Sequence, residues 1–224
     1  MMEKEVLTEN TDKKDFITFA KERIGLLPIE VKVKKLDEKA VIPTYAHNGD
    51  VGMDMTAISV EYDEEKDMYI YHTGLAFESE YNIGQFLFPR SSNRKTDAYL
   101  CNSVGIADSA IYRGEILFCY KNRDSLETIA NLEAMKQFIF SLQMTSMMDK
   151  GGSISEHIKI STELYDKVKE DVKERARNLE FAPYKVGDKI GQMVFMPHPT
   201  VKLRECENLS ETVRGENGFG STGN

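Results

Sequence analysis

Short apolar-rich runs broken by turn residues dominate the chain from about 29 to 120. IEVKVKKL, MYIYHT, GQFLF and EILFCY carry the β-branched and aromatic residues that suit a pleated surface, with Gly, Asn, Asp and Pro between them. Many short strands in this arrangement predict a mainly β sandwich or barrel-like fold. Two regions break the pattern. Phe16, Ala20 and Ile24 stand four apart between Thr11, available as a cap, and Gly25, a stop, which predicts an N-terminal helix within a 1–28 extension. Between about 122 and 182, Leu132, Met135, Ile139 and Leu142 recur at three-four-three spacing. After the Gly151-Gly152 break, Leu164, Val168, Val172, Ala176 and Leu179 repeat amid alternating charges. Two helices are expected there. β character resumes at YKVGDKIGQMVFMPHP, so the helical pair reads as an insertion at 122–182 inside a β domain of 29–224. The Gly-rich end, 214–224, reads as a flexible arm.

Composition narrows the function. The 224 residues carry a net charge of -8, which opposes the field that DNA or RNA would need, so nucleic acid is not an expected partner. The cysteines, Cys101, Cys119 and Cys206, are odd in number and lack CxxC spacing, which suits reduced thiols in a cytoplasmic protein. The acidic, polar start has no basic-then-apolar leader pattern, and no run approaches the length of a membrane span. Neither secretion nor a membrane is expected. His47, His72, His157 and His198 are scattered without metal spacing.

Five segments carry groups suited to chemistry: AHNGDVGMDMTA (46–57), PRSS (89–92), NSVGIADSAIYRGE (102–115), VGDKIGQMVF (186–195) and RGENGFGSTG (214–223). Gly49 and Gly52 frame Asp50 and Asp54, two carboxylates that suit either a hydrated cation or the capping of their own turn. Arg90, Ser91 and Ser92 supply a guanidinium and two hydroxyls, a set that suits phosphate and is also common on surfaces. Asp108 lies among small and apolar residues, where a carboxylate needs a partner or a task. Phe219 between Gly218 and Gly220, followed by Ser221 and Thr222, suits either a flap over a base and phosphates or a plain polar tail.

In this order the five segments resemble the five motifs of the trimeric dUTPase family, as GDxGxD, PRSS, GxxDS with YRGE, GDKIxQ and RGxxGFGSTG. The resemblance implies a dUTPase-like β-jelly-roll (β-clip) that forms a homotrimer with shared active sites. It implies hydrolysis of dUTP to dUMP and pyrophosphate by water attack on the α-phosphorus, with Mg²⁺. Carried over by position, Asp54 would hold the Mg²⁺ through a bound water. Arg90, Ser91, Ser92 and Gln192 would contact phosphates. Asn102, Gly105 and the hairpin around them would read uracil, and Tyr112 would pack on deoxyribose and exclude a 2′-hydroxyl by clash. Asp108 would orient and deprotonate the attacking water. Arg214, Phe219, Gly220, Ser221 and Thr222 would form the closing arm, gripping phosphates and stacking on the base.

The sequence departs from the family pattern in three places. Asp108 and Tyr112 are one residue further apart than usual, which predicts a bulge at Ala110 or Ile111. Asn93, Arg94 and Lys95 replace an apolar continuation after PRSS. The 122–182 insertion is absent from ordinary members. Two rival functions follow: a dCTP deaminase of the same fold, and a nucleotide-gated interaction protein whose insertion binds a protein partner.

Overall fold

The computed structural model describes residues 28–80, 82–108, 111–147 and 154–213, so the predicted N-terminal helix and the terminal arm lie outside the described residues. Chain order gives β1 (Lys32–Lys35), β2 (Met53–Thr56), β3 (Ser59–Asp63), β4 (Met68–His72), β5 (Leu75–Glu78), β6 (Ile83–Phe88), β7 (Ala98–Leu100), β8 (Gly105–Ala107) and β9 (Leu117–Asn122). Helices α1 (Leu126–Met147) and α2 (Ile154–Arg177) follow, and then β10 (Lys189–Pro197). All pairings are antiparallel. They make two four-stranded sheets, β2-β10-β6-β8 and β3-β4-β9-β7, and a two-stranded β1-β5 ribbon. The fold is the expected jelly-roll with a helical insertion.

Alternation along the strands explains how the sheets meet. In β4 and β9 the buried residues are Tyr69, Tyr71, Phe118 and Tyr120, and the register sets Tyr69 opposite Tyr120 and Tyr71 opposite Phe118. Met55, Leu87, Ile190 and Met193 of the other sheet join them in one core. Two of these buried hydroxyls find backbone acceptors, whereas that of Tyr69 has none among the described residues. Tyr71 donates to the Tyr184 carbonyl (3.0 Å) and Tyr120 to the Ile190 carbonyl (2.6 Å). Gly191 is required where the sheets approach most closely, because a Cβ there would collide with the Phe118 ring. Next to it, β10 carries a bulge between Lys189 and Gly191.

The helices form their own small core. Ala130 and Ala134 of α1 meet Val168 and Val172 of α2, as the second predicted stripe requires. The stripe predicted for α1 is not its buried face. Leu132 (50 % exposed), Met135 (62 %) and Ile139 (48 %) face solvent, and Leu142 is also exposed. The helix is apolar on several faces, so periodicity named the larger residues; the small alanines allow close approach of the helices and are the ones covered. The pair is tied to the β domain at its ends. Asp67 accepts the Leu126 N–H (3.2 Å), Glu64 pairs with Arg177 (2.9 Å) and Lys173 (3.3 Å), and Asn122 donates to the Phe181 carbonyl (3.0 Å). Among the described residues no helix is long and apolar enough to cross a membrane.

Candidate active site

The first chemical cluster sits on adjacent strands β2, β10 and β6, where Gln192 lies opposite both Asp54 and Phe88. Arg90, two residues past the end of β6, donates from Nε to Asp54 Oδ1 (2.7 Å) and from Nη2 to Oδ2 (3.2 Å). Its Nη1 donates to Ser92 Oγ at 3.4 Å. Gln192 Nε2 donates to Asp54 Oδ1 (3.2 Å), and Lys189 Nζ lies 2.9 Å from Oδ2. Burial pushes the Asp54 carboxyl up, but hydrogen bonds from Lys189, Gln192 and Arg90 outweigh it and hold the pKa below the ordinary carboxylate value. Asp54 is therefore an ionised acceptor in a cationic frame. The two readings of the GDVGMD segment divide between its carboxylates: Asp50 caps its own turn by accepting the His47 N–H (2.8 Å), while Asp54 faces the cations.

Local backbone explains the loop after PRSS. Ser91, exposed, opens a 3-10 helix spanning Ser91–Lys95. The polar residue at 93 is tied down on several sides. Asn93 donates to the Ala98 carbonyl (3.0 Å), and its side-chain oxygen accepts from the Tyr184 hydroxyl (2.8 Å) and from Thr96 (3.2 Å). Hydrogen bonding here replaces the expected apolar packing.

The second cluster surrounds a cleft of about 250 Å³ beside the edge strand β8, lined by Asn102, Gly105, Asp108, Tyr112 and Glu115 among others. Gly105 lets β8 approach β6 and the preceding turn closely: a Cβ there would lie 3.0 Å from the Leu87 side chain and 3.2 Å from Asn102 Nδ2. Asp108 is exposed at the cleft, just past β8. Its carbonyl accepts the N–H groups of both Ile111 (2.9 Å) and Tyr112 (2.7 Å), so a tight turn follows Asp108. Ala110, one of the two expected bulge positions, lies outside the described residues. The Tyr112 hydroxyl donates to the Glu115 carbonyl (2.9 Å). The Glu115 carboxylate accepts the Gly74 N–H (2.6 Å) and meets His72 Nδ1 (2.9 Å), which ties the segment before β9 to the end of β4.

The structure thus brings together Asp54, Arg90, Ser92 and Gln192, and separately Asn102, Gly105, Asp108 and Tyr112. The two groups do not meet within one protomer. Strands β2 and β8 lie at opposite edges of their sheet, roughly 14 Å apart at about 4.8 Å per strand. Along the strands, Asp54 aligns with Phe88 through Gln192, whereas Ala107 aligns with Gln85, so Asp108 lies roughly 20 Å from Asp54 along the sheet at about 3.3 Å per residue. Arg214, Phe219, Gly220, Ser221 and Thr222 lie outside the described residues. Lys189 and Glu115 were missed as site residues. Lys189 stands inside the quoted GDKIGQ segment, but only the bulge reveals that it shares a face with Gln192. Glu115 stands inside YRGE, and its His72 partner comes from a distant strand.

Among the described residues, no group of three or more His, Cys, Asp or Glu side chains is placed to hold a metal. Cys101, Cys119 and Cys206 are free thiols, and burial pushes the Cys101 and Cys119 thiols up, away from the reactive thiolate.

Sheet order defines a jelly-roll protein carrying a cationic frame and a polar cleft, and comparison with known proteins gives its family. The dUTPase family model matches residues 178–223. The deoxyuridine 5'-triphosphate nucleotidohydrolase of Clostridium novyi (strain NT) is 30% identical over 196 residues, covering 87% of this chain and 99% of that relative. Its counterpart in Crocosphaera subtropica is 29% identical, with the same coverage. The chain belongs to the dUTPase family. Among solved structures, a variant of the Staphylococcus bacteriophage 80alpha dUTPase with dUpNHpp superposes with a TM-score of 0.53 at 20% identity, covering 87% of this chain and 98% of that one. That likeness supports the fold.

Proposed function

We infer that the chain hydrolyses dUTP to dUMP and pyrophosphate. Family membership supplies the activity. The observation that carries the site reading is the cleft beside β8, which gathers Asn102, Gly105, Asp108 and Tyr112 around one opening with a carboxylate at its edge. Asp108 accepts a proton from water as that water attacks the α-phosphorus, and the bond from this phosphorus to the β-bridging oxygen breaks, releasing pyrophosphate. Asn102 pairs with uracil in a hairpin too tight for an added methyl, and Tyr112 packs on deoxyribose. Arg90, Ser91, Ser92 and Gln192 hold the phosphates, and Arg214, Phe219, Gly220, Ser221 and Thr222 close over them. Asp54 would hold a Mg²⁺ ion through one of its waters, and the metal would supply neutralisation of phosphate charge.

The separation of the two clusters favours a homotrimer in which Asp108 of one subunit serves the Asp54 frame of another. The outer face of the β2-β10-β6-β8 sheet supports this reading. Phe86, Phe88, Val194 and Met196 are only half-covered there and Ile106 is 70 % exposed, so this apolar face suits burial against a second copy.

A screen for pyrophosphate release across dUTP, dCTP, dTTP and UTP tests the assignment. Selective release from dUTP is expected; ammonia release from dCTP without pyrophosphate would mark a deaminase instead. A second role, binding of a protein partner by the insertion, is favoured by the uncovered Leu132, Met135 and Ile139 stripe. Capture of a partner that depends on α1 and α2 would support it; equal capture without them would refute it.

A further inference from the structure

Four donors converge on the two oxygens of Asp54. Oδ1 accepts from Arg90 Nε (2.7 Å) and Gln192 Nε2 (3.2 Å), and Oδ2 from Arg90 Nη2 (3.2 Å) and Lys189 Nζ (2.9 Å). A carboxylate offers about four lone-pair sites. Asp54 is therefore saturated, and two cations face one anion. Such a frame repels a free dication and attracts a polyanion. Lys189 reaches it only because of the β10 bulge. Residues three apart normally point to opposite faces of a strand, but the register shift between Lys189 and Gly191 brings Lys189 and Gln192 to one side.

The donors differ in how easily each can leave. Gln192 is in the strand ladder and Arg90 is held by two bonds to Asp54 and one to Ser92. Lys189 has a half-exposed, flexible side chain making a single contact with the carboxylate. We propose that Lys189 occupies, in the nucleotide-free protein, the place on Asp54 that a metal-bound water would take, so that a divalent cation enters only as its complex with the triphosphate. This rests on the dUTP-hydrolysing reading. Arrival of the phosphates gives the ammonium a stronger anion, Lys189 turns to it, and the freed lone pair of Asp54 accepts the metal's water. Lys189 is a positioning residue in this scheme.

The test is a titration of the full chain with Mn²⁺ in the absence of nucleotide, following free Mn²⁺ by electron paramagnetic resonance. Wild type and Lys189→Arg should bind weakly and alike. Lys189→Gln should bind one Mn²⁺ per chain at least about tenfold more tightly, the scale expected from removing one nearby charge. Adding Asp54→Asn should abolish that gain. Lys189→Met, also uncharged, gives the same comparison if the glutamine variant does not fold. Equal Mn²⁺ binding by the uncharged variants and wild type, or a gain that survives Asp54→Asn, overturns the proposal. Wild-type dUTP hydrolysis accompanied by no gain would sink this inference alone, whereas absence of hydrolysis in wild type would sink the reading beneath it.

Discussion

At the scale of single residues, the site divides into a carboxylate held by cations and a carboxylate left open. Asp108 lies exposed at the cleft beside β8, where a water can reach it. On the proposed assignment Asp108→Asn keeps the shape and removes the base, so kcat should fall by about 10²–10⁴ while nucleotide affinity changes little. Steady-state kinetics with a separate binding titration checks this, and turnover within tenfold of wild type would show that another group activates the water. Asp54 calls for a different measurement. Its folded pKa lies below the ordinary value, because hydrogen bonds from Lys189, Gln192 and Arg90 outweigh desolvation. A depressed carboxylate contributes stability that is present above its unfolded pKa, about 3.9, and lost as pH falls through the folded value. Wild type should therefore exceed Asp54→Asn in urea stability at pH 7, and the gap should close in the acid range below about pH 4. Both must be compared at one protomer concentration. Most of these residues were legible in the sequence, since Asp54, Arg90, Gln192, Asn102 and Asp108 all stand in quoted segments. Lys189 was not, because a bulge decides which face it takes and a bulge leaves no period in the sequence.

At the scale of elements, legibility followed how one-sided each pattern is. MYIYHT and EILFCY alternate cleanly and became β4 and β9, with their aromatic residues in the core. Strands β2, β7 and β8 lie in or beside turn-rich segments, and pairing with longer neighbours, not local propensity, makes them extended. The α2 stripe is unambiguous because charges fill its other face. In α1 the apolar residues run round the helix, so its existence was legible and its orientation was not. The insertion's two ends meet, since Asn122 bonds to Phe181, and Leu179, Phe181 and Ala182 pack against the β core. Replacing Leu126–Arg177 with a short Gly/Ser link should therefore leave the core topology intact, because closing a longer or shorter connection changes entropy only slowly. We expect kcat/KM for dUTP to stay within roughly tenfold, under about 1.4 kcal/mol. Some stability should be lost with the Glu64 ion pairs, though exposed pairs of this kind contribute little. A folded deletion variant unable to hydrolyse dUTP would show that the helices complete the site.

At the scale of the whole molecule, the geometry of one protomer leaves the chemistry divided. The Asp54 frame and Asp108 stand at opposite edges of one sheet, on a face whose partly exposed Phe86, Phe88 and Val194 suit contact with another copy. If subunits share sites, then damage confined to different parts of the chain should be complementable. Asp108→Asn removes the base and leaves the arm; truncation before Arg214 removes the arm and leaves the base. Each homotrimer should be nearly inactive. In a mixed trimer, however, an arrangement exists in which an intact Asp108 from a truncated chain, an intact Asp54 frame and an intact arm from an Asp108→Asn chain all surround one nucleotide. Co-refolding the two variants at equal ratio should restore a fraction of wild-type kcat, while KM at the restored sites stays near wild type, because those sites contain every contact. Mixed assembly must be demonstrated by tagging one variant and recovering the other with it. Mixed trimers that recover no activity would place base, phosphate frame and arm within a single chain, and a chain with its two clusters this far apart would then need a rearrangement of the sheet to bring them together.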